Sequence, residues 1–207
     1  MKSKIDRLTN ISNKRCIKQM RPICCRYLAK SRVYNCKAQR IDISYANFRG
    51  SQFSNVKFEE CTIWGCDFYG TIFSKCSFDQ SVFTACNFVS CVFKNCSVNQ
   101  STIKDSTIVT TSVHGSFIIQ NDRIMSQFPK CEIDYDLYCA LESLHGDMNL
   151  RKHKLLFLGE NKYNDLTISL MQQKYGLSLS RRLFNLSNCS TRNITTIKKL
   201  ENILSKL

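Results

Sequence analysis

Between Ile43 and Val113 the chain places an apolar residue at every fifth position: Ile43, Phe48, Phe53, Phe58, Ile63, Phe68, Phe73, Phe78, Phe83, Phe88, Phe93, Val98, Ile103, Ile108 and Val113. With 43% of all residues apolar, fifteen such hits in a row would arise by chance about three times in a million. Two residues ahead of each runs a second series, Ile41, Ala46, Ser51, Val56, Cys61, Cys66, Thr71, Cys76, Ser81, Cys86, Cys91, Cys96, Ser101, Ser106 and Thr111, uniformly small or β-branched. The phase extends more weakly to Ser31/Val33 and Cys36/Ala38 on one side and Ser116/Ile118 on the other, which makes eighteen candidate units.

A period of five fits neither a helix nor a flat strand. Within each unit the small and large residues are two apart, so an extended triplet aims both to one side and the residue between them to the other. The remaining two residues must turn the chain. Repeated strand-plus-turn units bury all their marked residues only by winding about a central axis, each coil lying on the next at about 4.8 Å. The pattern therefore predicts a β-solenoid.

Ala46-Asn47-Phe48, Cys66-Asp67-Phe68 and Cys86-Asn87-Phe88 resemble the A(D/N)LXX unit of the pentapeptide-repeat family. The resemblance covers residues 41 to 113, and 31 to 118 with the outer units. It implies a mainly β fold, a right-handed quadrilateral β-helix with four units to a coil, so that eighteen units make 4.5 coils. The centres then fall into four ladders: Ile43/Ile63/Phe83/Ile103, Phe48/Phe68/Phe88/Ile108, Val33/Phe53/Phe73/Phe93/Val113 and Ala38/Phe58/Phe78/Val98/Ile118. The expected structural core is Phe48, Phe53, Phe58, Phe68, Phe73, Phe78, Phe83, Phe88 and Phe93, each worth about 2–3 kcal/mol when buried. Phe stands where the family has Leu, and Cys where it has Ala, which alters packing volume and leaves the architecture as it is.

Outside the repeat the texture changes, dividing the chain into a basic N-terminal arm or cap (1–30), the β-helix (31–118) and a helical C-terminal region (119–207). Helical spacing predicts helices over 134–145, 148–158 stopped by Gly159, 165–175 stopped by Gly176, and 193–207. These would cover the open strand edges of the solenoid or form a homodimer contact. Charge divides along the same lines: Lys and Arg number 12 against Asp6 alone in residues 1–40, 5 against 6 in 41–120, and 13 against 9 in 121–207. Most of the +14 net charge thus sits on the first forty residues. Lys14, Arg15, Lys18, Arg21 and Arg26 are the candidate contacts to an anionic membrane surface or nucleic acid.

Thirteen Cys would suit a disulfide scaffold, but the first thirty residues hold no apolar segment of signal-peptide type. The thiols are expected to be reduced. No run approaches the 18 apolar residues of a membrane span. Seven Cys (36, 61, 66, 76, 86, 91 and 96) fall in the small inward slot, where packing explains them better than metal binding. Cys24-Cys25 lies among basic residues, a setting that suits S-acylation. Cys139, His145, Asp147 and His153 include the groups of a nucleophile and base without any signature around them. No phosphate loop, dinucleotide glycine motif or metal-ligand spacing occurs, so the expectation is a protein that is no enzyme and needs no cofactor.

Two functions follow from the family resemblance. The first is a non-enzymatic scaffold that binds a protein partner, cytoplasmic in a bacterium or delivered as a virulence effector into a host cell. The second is an immunity protein that shields DNA gyrase by imitating duplex DNA. That branch of the family needs an acidic surface, and the repeat here is close to neutral.

Overall fold

The computed structural model describes residues 18–111 and 117–207. The chain divides into two compact units, Met1–Gln127 and Phe128–Leu207. The first is a mainly β solenoid of about five turns, the second a group of helices.

Each coil of the solenoid presents four faces, named here for the order in which the chain visits them from Ile43. All strand pairing is parallel and, through the body of the tube, offset by twenty residues. Ile43, Ile63, Phe83 and Ile103 stack on face one, and Phe68, Phe88 and Ile108 on face two. Val33, Phe53, Phe73 and Phe93 stack on face three, and Ala38, Phe58, Phe78 and Val98 on face four. Strands Arg32–Gln39 and Gln52–Glu59 are long enough to run across faces three and four, joining them in one seven-stranded sheet.

The corners carry the period of five into the backbone. Every fifth residue from Cys25 to Thr110 has a positive φ, between 45° and 63°. Only Gly50, Gly65 and Gly70 occupy these corners without a Cβ penalty. The others each bear a left-handed cost of about 1–2 kcal/mol, and most of them gain a bond for it. The turned amide points along the tube and donates to the next coil, as Arg40 N does to Glu59 O (2.9 Å) and Tyr45 N to Trp64 O (3.0 Å).

Inside, phenylalanines stack parallel and offset between coils and edge to face within one. Ring centroids lie 5.4 Å apart for Phe48–Phe68, 5.1 Å for Phe68–Phe88 and 4.8 Å for Phe73–Phe93, with planes within 12° of parallel. Neighbours in one coil cross steeply, Phe73 and Phe78 at 69°. Both arrangements suit the ring quadrupole. The nine central phenylalanines are all buried.

The small inward slot is more than a gap-filler. Its Ser, Thr and Cys side chains hydrogen-bond to the neighbouring coil. Thr71 Oγ1 donates to Phe48 O (2.9 Å), Cys61 Sγ to Ala38 O (3.2 Å) and Cys91 Sγ to Phe68 O. In return hydroxyls accept amides: Cys61 N donates to Ser81 Oγ (3.1 Å), Ser81 N to Ser101 Oγ (3.0 Å) and Cys86 N to Ser106 Oγ (3.0 Å). An alanine would fill the volume and lose these bonds.

Both ends depart from the sequence-based register. Lys18 pairs with Cys36 and Gln19 with Lys37, an offset of eighteen, before Ile23 and Cys24 resume at twenty against Ile43 and Ser44. Strands and the buried Met20, Leu28 and Ala29 therefore place residues 18–30 in the solenoid. At the other end Ile118 pairs with Thr102 and Ile119 with Ile103, an offset of sixteen. Ile118 is thus not a fourth-ladder centre beneath Val98: its side chain turns outward and is 49% exposed. Phe117 instead fills the end of the core, its ring 5.3 Å from Phe78 and 6.0 Å from Phe93. Asp122 takes the slot of the next serine, accepting the Ser106 amide at 2.6 Å. Strands continue to Met125, past the expected boundary at 118. Val113 lies outside the described residues.

In the helical unit α1 spans Tyr135–Ser143 and α2 Met148–His153, capped by the side chains of Asp134 and Asp147. Helix α3 is Asp165–Tyr175, α4 Ser178–Ser187 and α5 Ile197–Leu204. Helix α2 ends at Lys154, whose φ of 55° stops it before the expected Gly159. Helix α4 has no counterpart among the sequence-based helices, although Leu179, Leu183 and Leu186 mark its buried face. Leu141, Leu150, Leu156, Ile168, Leu186, Ile194, Leu200 and Leu204 belong to a core of its own.

Substituting Phe83→Asp places a charge among the edge-on rings of Phe68, Phe78 and Phe88 and should cost at least about 4 kcal/mol, a large share of a typical 5–15 kcal/mol stability. Gln80→Gly, at a corner with φ of 49°, should change stability by less than about 1 kcal/mol and in the stabilising direction. Denaturant titration of the full chain measures both. Equal midpoints for Phe83→Asp and wild type would contradict the packed aromatic core.

Candidate functional site

The stacked rings fill the tube, so the chemistry open to a partner lies on outward positions. Face two is closed in this respect. Its outward side chains Asn47, Asp67, Asn87, Val89 and Val109 are themselves buried. Asn87 Nδ2 donates to Asp67 Oδ1 at 2.7 Å, and the Arg49 guanidinium lies 3.8 Å from the centre of the Tyr69 ring. Burial lowers the pKa of Arg49, with Asp67 opposing that shift, and raises that of Tyr69.

The other faces differ in character. Face four carries charge: Lys37 Nζ meets Glu59 Oε2 at 2.7 Å, Arg40 clasps Glu60 with two hydrogen bonds of 2.9 and 3.2 Å, and Asn99 Nδ2 donates to Asp79 at 2.6 Å. Face one presents Tyr45 edge-on to Trp64, centroids 4.6 Å apart. Face three bears outward rows of Arg32, Gln52, Ile72, Val92 and of Tyr34, Ser54, Ser74, Lys94, without an acid. Ile72 and Val92 are direct neighbours across two coils, 41% and 49% exposed.

The sequence-derived cationic residues fall partly inside the described chain. Lys14 and Arg15 lie outside the described residues. Lys18 belongs to an edge strand, and Arg21 and Arg26 are exposed on the first coil. Beside Arg21 opens a groove of about 570 Å³ lined by Met20, Arg21, Pro22, Gln39, Arg40 and Ile41, which no sequence signal announced. Cys24 is exposed next to it in sequence, its sulfur 3.5 Å from that of Cys25.

The groups proposed for nucleophilic chemistry have separate engagements. Cys139 is exposed on α1. His145 Nε2 lies 2.6 Å from Glu160 O, and Asp147 both caps α2 and accepts from Thr191 Oγ1 at 2.7 Å. His153 is buried, and burial followed by Lys152 brings its pKa down to about 4. Among the described residues no group of three His, Cys, Asp or Glu could hold a metal ion, and no helix is long and apolar enough to cross a membrane.

The inward thiols are not equivalent. Burial raises the pKa of Cys66 strongly and pushes that of Cys91 up to about 12. Cys96, at the partly exposed end of its ladder, is brought down to about 7 by a hydrogen bond from Cys76, whose own pKa rises.

Residues 39–75 and 65–100 match the family model of pentapeptide repeats, in eight copies. No curated protein sequence matches the chain. Among solved structures, a trypsin-treated variant of QnrB1, a plasmid-mediated fluoroquinolone resistance protein, is similar at 18% identity with a TM-score of 0.27. The likeness spans 51% of this chain and about half, 54%, of that one.

In native protein Cys96 should alkylate first among the ladder thiols, faster as pH rises through about 7, while Cys66, Cys86 and Cys91 react only after unfolding. Peptide mass spectrometry after brief iodoacetamide treatment reads this directly. His153 sets a second expectation. Its folded pKa lies below the unfolded value, so its stabilising contribution is complete above about pH 6.5 and is lost as pH falls toward about 4, a change of about 3 kcal/mol. The melting temperature of His153→Leu should fall less between pH 7 and pH 4.5 than that of wild type.

Proposed function

We propose that this chain, whose residues 39–100 are pentapeptide repeats, is a non-enzymatic scaffold that recognises a protein partner on an outer face of its solenoid. The observation that carries the reading is the division of side chains: inward positions are consumed by packing and inter-coil bonds, while outward positions form straight rows one rung apart. Such rows are rigid and pre-ordered, so binding loses little conformational entropy. Face three is the recognition surface. It combines the adjacent exposed Ile72 and Val92 with a frame of Ser, Gln, Tyr and Lys, the mix of apolar centre and polar rim that interfaces use.

Delivery into a host cell as an effector is the finer part of this reading, and it rests on the basic, acid-poor first forty residues. The gyrase-shielding alternative requires a surface that imitates DNA. Residues 18–127 hold 13 Lys and Arg against 7 Asp and Glu, the wrong sign for that role.

Crosslinking followed by mass spectrometry, comparing full chain with Ile72→Lys/Val92→Lys and with a face-four control, Lys57→Ala/Gln80→Ala, tests the assignment. The face-three variant should lose a specific crosslinked protein at least about tenfold while the control keeps it. Loss in neither variant would remove face three as the surface. Relief of fluoroquinolone inhibition of gyrase supercoiling by the wild-type chain would favour the alternative.

A further inference from the structure

Ile72 and Lys75 sit on an interior coil, with residues 52–55 on one side of them and 92–95 on the other. Three features of face three meet there. Ile72 and Val92 stand exposed in adjacent positions of one row. At the corner between faces two and three the chain carries Gly50 and Gly70, where most corners bear a side chain, and a Cβ on Gly70 would meet nothing within 4 Å. At the opposite edge Lys75 and Lys94 are exposed and join no ion pair among the described residues. Single aliphatic side chains in water need no partner. An aliphatic pair with a bare trough on one side and cations on the other has the layout of a docking groove.

We propose that face three receives an acidic amphipathic α-helix of a partner protein, laid along the tube axis, with its apolar side on Ile72 and Val92, its backbone drawn toward Gly50 and Gly70, and its carboxylates reaching Lys75 and Lys94. The inference rests on face three being the recognition surface and names what that surface takes. Hydrogen bonding decides for a helix over an extended segment. Strand Ile72–Ser74 pairs with Gln52–Glu59 on one side and with Val92–Lys94 on the other, so face three offers no strand edge there. An extended peptide laid on it would lose water from its amides and carbonyls and find no partner for them, whereas a helix satisfies its own. The dimensions agree: rungs of about 4.8 Å meet helical turns of about 5.4 Å, and a helix about 10 Å across covers a strand of three residues, about 10 Å long. Charge decides for an acidic helix. The outward rows through Gln52, Ile72 and Val92 and through Ser54, Ser74 and Lys94, with the corners on both sides, hold no Asp or Glu. Single-stranded nucleic acid needs rings to stack on, and among the described residues the one outward ring of face three, Tyr34, is tied by its hydroxyl to Gln52 at 3.2 Å.

Fluorescence anisotropy with the full chain tests it, at about 0.15 M salt. The probe is a labelled peptide of about 20 residues built from Leu, Ala, Gln and Glu, with Leu at i, i+3, i+4 and i+7. Three others are compared with it: one with Lys for every Glu, one of the same composition with its Leu spread round the helix, and a single-stranded RNA oligomer. Wild type should bind the first at least about tenfold more tightly than any of the others. Lys75→Glu/Lys94→Glu should weaken that binding at least about tenfold and should bind the Lys peptide more tightly than wild type does. Lys57→Glu/Lys104→Glu, an equal change of charge on faces four and one, should stay within about threefold of wild type. Gly70→Asn fills the trough and should weaken binding at least about threefold. Asn35, Asn55 and Asn95 already hold this backbone conformation, with φ between 50° and 54°, so the fold is kept, as circular dichroism checks. The proposal is overturned if the first peptide is not preferred, if either Lys75→Glu/Lys94→Glu or Gly70→Asn binds it as wild type does, or if both charge variants lose it equally. Loss of the crosslinked partner by Ile72→Lys/Val92→Lys without a preference for the acidic peptide would leave face three as the recognition surface and remove the helix. Retention of the partner by that variant would remove the surface, and the helix with it.

Discussion

In-register stacking at twenty residues is the constraint from which the solenoid follows. It couples each position more closely to the residues twenty before and after it than to its chain neighbours. Phe48 must suit Phe68, and Asn87 must suit Asp67. The same rung carries the backbone amides, the corner amides and the small-slot hydroxyls and thiols, so four kinds of contact share one spacing. Left-handed corners at Arg40, Glu60 or Gln80 are tolerable because each aims an amide at a carbonyl in the next coil. Strain of about 1–2 kcal/mol per corner is largely offset by a bond worth about 1 kcal/mol.

A core consumed in this way leaves recognition to the outside, and the outside is divided. Face two closes over its own polar ladder, face four pairs its charges, and face three keeps two aliphatic side chains in water. On the first coil, Lys37 and Arg40 are matched by Glu59 and Glu60 of the next. Faces of one rigid body of this kind act separately, because a filled β-tube offers no second packing arrangement to switch into.

The period of five was legible because each unit spends its two largest signals, a Phe and a small residue, on the same inward side. The ends were illegible for the same reason. Met20 follows the fold with an offset of eighteen and Phe117 with a side chain outside the phase, and neither can be found by counting in fives. Asp122 replaces serine by chemistry, an oxygen that accepts the Ser106 amide, not by size. Helix α4 escaped because Gly176 ends α3 and the chain re-enters a helix two residues later, so the stop signal hid a start. The groove at Arg21 arises between residues 20–22 and 39–41, which are neighbours only after the coil closes.

The irregular offsets of eighteen and sixteen at the two ends, against twenty between them, bear on how such a gene can change. An in-frame duplication or loss of twenty codons in the middle returns every side chain to an equivalent environment and alters the rod by one rung, about 4.8 Å. A similar edit near either terminus would fall out of step with Met20 or Phe117 and expose the rings they cover. Length is therefore a trait that recombination can adjust in the interior, while the termini are inherited as fixed pieces.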